Sequence, residues 1–459
     1  MRFKRMIMRS KRVIMSSKRA ILTVFMLLLI VAVAACGGRN GVVYESDAGR
    51  TPAEGAGSSG RPLKIFNFKV EMAEQLNALT QQYQEETSVP IELDTCGGGC
   101  DYSAELKTRF NSGDKPDLFF VAGYTDLDLW EEYLEDLSGE PWAEQMQELA
   151  RPAITKDGRT YGMPLAMEGW GFIYNKALFR KAGIETLPVT LSGLRAAAEQ
   201  LQASGIRPFE NGYAEWWVLG NHLLNTAFAL QPDPAEFIEE AGSGRAKLAG
   251  NEIFAGWLDL LGLTLEFGQE APLQTDYYTQ VMHFADGQAA MMQQGSWTQL
   301  QLDKLAPGLD IGFLPMPVND DGAKMDRLQI GVANYWVVLK NSMMKEEAKA
   351  FLRWLASSEA GRKFIVDDAR LIPALKSIPV PEGSLGPLAD DIMSYMKAGK
   401  TLPWLWQRYP GYESTTSQMS VQMQAYIGGQ IGREKLLAEF QRIWDSARGM
   451  ATSPRSNSE

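Results

Sequence analysis

Apolar positions from residue 63 onward change their period in a regular way. Leu63-Lys64-Ile65-Phe66-Asn67-Phe68 reads as a strand, and Met72, Leu76, Leu79 and Tyr83 then recur at intervals of four, three and four, which draws one apolar face of a helix. Val89 to Leu93 reads as a second strand, Tyr102 to Asn111 as a helix, and Asp117 to Val121 as a third strand opened by Pro116. This alternation predicts an α/β fold with a mostly parallel sheet covered by helices. Ligands of such sheets lie just beyond the carboxyl ends of the strands, which puts Asn67, Lys69, Ala122, Gly123, Tyr124 and Asp126 near a site.

The amino-terminal stretch has another character. Eight basic residues, from Arg2 to Arg19, precede an uncharged run of sixteen residues from Ala20 to Ala35. That run is shorter than the roughly 20 residues of a permanent membrane span and ends in small residues, as an export signal does. The boundary Val33-Ala34-Ala35-Cys36-Gly37 resembles the bacterial lipoprotein signal, which implies that residues 1–35 are removed and that Cys36 carries the lipid anchor. Gly37 to Arg61 is rich in Gly, Ser and Ala without an apolar period, and residues 36–62 read as a flexible tether with a reach of about 25–30 Å.

Loss of the leader removes eight positive charges and takes the formal net charge from −11 to −19. So acidic a chain does not suit nucleic acid, whose phosphates require clustered Lys and Arg. It is also repelled by anionic lipid, so its contact with the membrane is expected through the lipid on Cys36 alone. The other two cysteines, Cys96 and Cys100, enclose three glycines. Outside the cell such a pair reads as a small disulfide loop, with two free thiols as the second reading. A zinc site would need two further ligands, and the chain offers only His222 and His283. No metal and no cofactor are expected.

The middle of the chain carries a series of motifs in fixed order. Asp157-Gly158-Arg159-Thr160-Tyr161-Gly162-Met163-Pro164 is followed by Glu168 and by Phe172-Ile173-Tyr174-Asn175-Lys176-Ala177-Leu178-Phe179. Phe284-Ala285-Asp286-Gly287-Gln288-Ala289-Ala290-Met291-Met292 leads to Gly295-Ser296-Trp297, and Ile311-Gly312-Phe313-Leu314-Pro315-Met316-Pro317 comes third. In order and spacing these motifs resemble the extracellular solute-binding proteins of family 1, over nearly all of the chain from Leu63. The resemblance implies two α/β lobes joined by crossing segments, with the ligand in the cleft and closure by a hinge. Crossings are expected near Met163 to Trp170, Pro315 to Gly331 and Arg370 to Pro373, giving one lobe of residues 63–166 and 328–370 and another of 167–327 and 371–459. It further implies capture of a sugar, a di- or oligosaccharide, by a monomer on the outer face of the cytoplasmic membrane, for the permease subunits of an ABC importer.

Sugars offer flat apolar faces between hydroxyl edges, so a pocket for them needs aromatic platforms and planar polar groups. Of the twelve Trp, those at 216, 217, 297, 336, 404 and 406 fall in loops or at element ends, whereas Trp130, Trp257, Trp354 and Trp444 fall in helical patterns and read as core. Trp297 ends an apolar strand where similar family members carry a stacking aromatic. One of Trp216 and Trp217 is expected to face the cleft, and the residues do not say which. Trp404 and Trp406, beside Arg408, would point to opposite sides if their segment were extended. Glu168 lies at the expected floor of the cleft, where a carboxylate can accept two hydroxyls. Asn67, Lys69, Tyr124, Asp126, Asn334 and Tyr335 complete the candidate set, while Asn175 also reads as the cap of a following helix.

Two other classes compete. A surface glycoside hydrolase would be exported and rich in aromatics too, and would need two carboxylates across one bond, for which Asp126 and Glu168 are available. A binder of a non-sugar solute such as glycerol phosphate would share the scaffold. No Ser-His-Asp set and no phosphate loop with its Lys stands out, and a binder without catalysis is expected.

Overall fold

The computed structural model describes residues 60–97 and 100–452. The chain divides between Gly57 and Ser58 into two units, and the described residues all belong to the second. Cys36, the leader and most of the tether lie outside the described residues.

Thirteen strands follow in chain order: β1 (Leu63–Asn67), β2 (Ile91–Thr95), β3 (Leu118–Val121), β4 (Thr155–Lys156), β5 (Arg159–Thr160), β6 (Gly162–Pro164), β7 (Glu168–Asn175), β8 (Arg207–Glu210), β9 (Ala289–Gly295), β10 (Ile311–Leu314), β11 (Leu328–Gly331), β12 (Tyr335–Val338) and β13 (Thr401–Leu402). One sheet has the order β2-β1-β3-β12-β6, with β1 parallel to β2 and β3, and β12 antiparallel to β3 and β6. A second has the order β13-β11-β7-β9-β8, with β10 also on β7, and β4 and β5 form a small hairpin. In the helix Ala73–Thr87 the apolar face read from the sequence is the buried one, with Leu76, Leu79 and Tyr83 all inside.

Strand β7 shows why the second sheet reads as apolar without alternation. All eight of its residues are buried, because helices cover both faces. Trp170 and Phe172 enter one core and Ile173 the opposite one. Gly169 and Gly171 share the Ile173 face. A Cβ at Gly171 would lie 2.5 Å from the Leu314 carbonyl oxygen, and one at Gly169 would lie 2.8 Å from Ile392 of the helix Pro387–Lys397, so both positions need glycine for close packing.

The sheets locate the chain crossings. The first falls at residues 165–167, between β6 and β7. The second differs from expectation: Leu328–Gly331 pairs with β7 in the second sheet, so the chain crosses at 332–334, and residues 328–331 belong with the second lobe. The third also comes later than expected. Ile372 pairs with Met167 of the first crossing, but Leu375 still pairs with Met146 of the earlier lobe, so the chain leaves that lobe after residue 375. Pro and Gly cluster before each crossing but do not mark which strand partner wins, which is why the sequence places the second and third too early.

Candidate functional site

The site begins where β1 ends. Asn67 is fully buried, and its side chain closes a turn: Oδ1 accepts the Lys69 N–H at 2.9 Å, while Nδ2 donates to the Lys69 carbonyl at 3.3 Å and to Thr95 Oγ1 at 3.2 Å. Asn67 therefore shapes the loop and has no free donor for a ligand. The turn aims Lys69 at Glu168, the first residue of β7, with Nζ 2.7 Å from Glu168 Oε1 and 3.3 Å from Glu71 Oε1. The side chains of Lys69, Glu168 and Glu71 are 8%, 4% and 14% exposed. Burial opposes the charge on Lys69, but Glu168 and Glu71 outweigh it and hold its pKa above the ordinary value. Burial raises the Glu168 carboxyl, and Lys69 limits the rise.

Above this ion cluster stand aromatic rings from the second lobe. Strand β9 ends at Gly295, and Trp297 sits half-buried in the turn Ser296–Thr298, its Nε1 donating to Gln294 Oε1 at 3.1 Å. Lys69 Nζ lies 5.9 Å from the Trp297 ring centroid, within cation–π range. Trp217 stands 6.2 Å from Trp297 at 69° and 5.8 Å from Tyr277 at 60°. Its Nε1 donates to Glu215 Oε2 at 3.1 Å, and Glu215 Oε1 accepts the Tyr277 N–H at 3.1 Å. Of the adjacent pair it is Trp217 that joins the cluster; Trp216 makes no ring contact among the described residues.

His222 occupies the centre. It lies on a π-helical turn, Val218–Leu223, a local widening common at functional sites. Its ring stacks on Trp170 at 5.0 Å and lies 5.0 Å from Trp297, 5.2 Å from Trp217 and 6.3 Å from Trp404. Burial, with the Lys69 charge adding, pushes its pKa down to about 3, so it is neutral. In this ring cluster His222 Nδ1, the Tyr277 hydroxyl, Trp404 Nε1 and Nε1 of the stacked Trp170 are buried without a partner among the described residues.

The remaining candidates lie elsewhere. Trp404 and Trp406 are both buried and pack together at 5.9 Å instead of facing opposite ways, because Trp406–Arg408 is a 3-10 turn and not extended chain. Trp404 borders the His222 cluster, whereas Trp406 packs on Tyr412 at 4.9 Å. Tyr335 is a correction: it is 1% exposed within the first lobe, and its hydroxyl donates to the Ala150 carbonyl at 2.8 Å. Asn334 sits half-buried at the crossing, its carbonyl accepting the Leu165 N–H at 3.1 Å.

Tyr124, Asp126 and Arg408 gather at a second place, where the lobes touch. Arg408 Nη2 donates to the Tyr124 hydroxyl at 3.0 Å, with the guanidinium 4.4 Å over the ring. Asp126 Oδ2 accepts the Ala122 N–H at 2.8 Å, and burial together with nearby Glu413 pushes its pKa up to about 7. Beside them Gln407 Nε2 donates to the carbonyls of Ala122 at 2.6 Å, Val332 at 2.9 Å and Ala333 at 3.1 Å, tying the later lobe to the earlier one. Tyr124, Thr125, Leu127 and Arg408 line a cavity of about 320 Å3 into which none of the aromatic cluster reaches. This group reads as lobe-to-lobe contact.

Glu71, Glu215, His222, Tyr277 and Gln407 were not singled out for the site from the sequence. His222 is one of two histidines in the chain, and the sequence offers it only as a metal ligand or as the base of a Ser-His-Asp set. Among the described residues no group of three or more His, Cys, Asp or Glu could hold a metal ion. Cys96 and Cys100 are joined as a disulfide with their Cα atoms 5.5 Å apart.

Two α/β lobes with a polar and aromatic cleft at the crossing segments define the class of two-lobed ligand-capture proteins. The family model of the bacterial extracellular solute-binding protein matches residues 69–362, more than half of the chain, and the protein belongs to that family. It is 23% identical to the multiple sugar-binding protein of Streptococcus mutans serotype c over 319 residues, 66% of this chain and 72% of that protein. It is 24% identical to the melibiose/raffinose/stachyose-binding protein of Bacillus subtilis over 288 residues, 60% of this chain and 64% of that one. Among solved structures, the solute-binding protein RafE in complex with raffinose superposes with a TM-score of 0.73 at 20% identity, covering 84% of this chain and all of that one. A chitin oligosaccharide binding protein gives 0.74 at 23%, covering 85% and 100%.

Proposed function

We propose that this protein captures a di- or oligosaccharide in the cleft between its lobes, outside the cell, and delivers it to the permease subunits of an ABC importer. The observation that carries this reading is the constellation at the crossing: Trp297 and Trp217 packed edge to face at 69°, the Lys69–Glu168 ion pair beside them, and unpartnered polar atoms of His222, Tyr277 and Trp404 in the same ring cluster. Sugar faces fit the rings and sugar hydroxyls suit the orphaned atoms. The names of the relatives, which are sugar binders, support the same reading. Trp297, Trp217, Glu168, Lys69 and Trp404 are the proposed ligand contacts, with Tyr124, Asp126 and Arg408 assisting closure. The protein acts as a monomer held at the outer face of the cytoplasmic membrane by lipid on Cys36. Among the described residues no helix is long and apolar enough to cross a membrane.

Hydrolysis is the weaker reading. Glu168 is ion-paired with Lys69, and Asp126 accepts a backbone N–H in the separate lobe contact, so they do not make an acid and base flanking one bond. A carbohydrate panel read by thermal shift and then by calorimetric titration tests the proposal. Saturable binding of a saccharide with no change in it over hours is expected, and silence across the panel would overturn it.

A further inference from the structure

The charges in the cleft do not balance. Lys69 faces two carboxylates, Glu71 and Glu168, and a third, Glu215, stands behind Trp217. The oxygens of Glu215 are both taken by N–H groups. Glu71 differs: it sits on the short turn Val70–Met72, meets Lys69 only at 3.3 Å, and has no other hydrogen bond or ion pair among the described residues. His222 is neutral and adds no cation. By formal charge the cluster of these four ionised groups carries −2.

Its field reaches across the cleft. Glu71 acts on the hydroxyls of Tyr277 and Tyr278 in the opposite lobe, raising both pKa values after the effect of burial itself. Tyr277 is 6% exposed and His222 7%; both pack on Trp217, at 5.8 and 5.2 Å between ring centroids, and each carries a buried polar atom without a partner among the described residues. A neutral hydroxyl can donate to Glu71 and accept from Tyr277. An anionic group there would be desolvated beside an uncompensated carboxylate.

We propose that the cleft discriminates by charge, admitting an uncharged saccharide and rejecting the same saccharide once it bears a carboxylate or phosphate, and that Glu71 sets this discrimination. The inference rests on the saccharide reading above and deepens it to a ligand class. At an effective dielectric of about 20, a second negative charge some 6 Å from the first weakens binding on the order of 100-fold.

The test uses the mature protein and defined probes. Raffinose, maltotriose and diacetylchitobiose are titrated by calorimetry within a wider neutral panel, and the tightest binder is compared with its monouronate, in which one primary hydroxyl is replaced by a carboxylate. The expected result is a dissociation constant about 100-fold higher for the uronate, with the ratio falling to about 1 in Glu71→Gln. Glu74→Gln, whose carboxylate pairs with Lys304 at the exposed rim, should leave the ratio unchanged. Equal or tighter binding of the uronate by the unaltered protein overturns the proposal while leaving saccharide capture standing. A ratio that shifts as much in Glu74→Gln as in Glu71→Gln overturns the assignment to Glu71. Absence of binding by any saccharide, neutral or acidic, removes the reading on which the proposal rests.

Discussion

Replacing Trp297 by alanine separates a ligand platform from a core residue. The ring is half-buried and holds one hydrogen bond, Nε1 to Gln294 at 3.1 Å, with His222 and Trp217 as its ring neighbours at 5.0 and 6.2 Å. A fully buried Trp truncated to Ala costs about 3–5 kcal/mol of stability, and a half-wet ring correspondingly less, about 1–2 kcal/mol. Binding should suffer more. Aromatic contact beyond area burial is worth about 0.5–1.5 kcal/mol, and the apolar area lost against the sugar face brings the total to about 2–3 kcal/mol. At 1.4 kcal/mol per decade that is roughly a 30- to 150-fold rise in dissociation constant. Trp257→Ala supplies the contrast, since that ring is 0% exposed and its Nε1 donates to the Leu223 carbonyl at 2.8 Å; there the loss of about 3–5 kcal/mol should fall on the apo fold. Calorimetric titration beside apo melting measures both quantities. Unchanged affinity in a destabilised Trp297→Ala protein would refute the reasoning and return this ring to the core.

Cys36→Ser should abolish lipid attachment and leave sugar affinity within twofold; labelled fatty acid incorporated normally into the variant would count against the anchor. Alkylation of the unreduced protein should leave Cys96 and Cys100 unmodified in mass spectrometry, and two labelled thiols would show that the pair is open in solution. Asp126, raised by burial and Glu413 to about 7 against about 3.9 when unfolded, binds more protons in the folded chain, so its contribution is full below about pH 4 and is lost as pH rises through about 7. Asp126→Asn should therefore raise the melting temperature at pH 8 relative to pH 5, and an unaltered pH slope would show that the carboxyl is hydrated.

The fold was legible because its strands and helices carry strong local periods. The helix beginning at Ala73 and the three opening strands follow from apolar spacing alone, and Asn175 caps its helix through the Leu178 N–H at 3.1 Å as its position implies. Of the proposed site, the sequence signals only what local context marks, Glu168 between motifs and Trp297 after an apolar strand. His222 is set by a π-helical turn, which widens a helix by one residue without any residue type to announce it. Glu71, on an exposed-looking Val-Glu-Met stretch, gains meaning only when the Asn67 turn folds Lys69 toward β7. Tyr335 misled for the opposite reason. It follows Gly-Val-Ala-Asn beside a crossing, yet as a strand residue it pairs with Val121 and Pro164, which turns its ring inward.

The orphaned atoms of the cleft also bear on how closure is controlled. A buried donor or acceptor without a partner costs roughly 1–3 kcal/mol, and His222 Nδ1, the Tyr277 hydroxyl and Trp404 Nε1 are three such atoms within one constellation. A core of this size could have dispensed with them, since apolar residues of similar shape would remove the cost altogether. On the saccharide reading proposed above, a ligand whose hydroxyls replace the missing partners removes that cost. On the same reading the hydrogen bonds of Gln407 to the Ala122 carbonyl and of Arg408 to the Tyr124 hydroxyl oppose opening of the lobes. A balance of that kind lets closure report occupancy, because a ligand shifts the equilibrium only by what it contributes to one state and not the other. It also favours polyhydroxyl ligands over apolar ones of equal size, since an apolar ligand packed against Trp217 and Trp297 would still leave all three atoms unpaired.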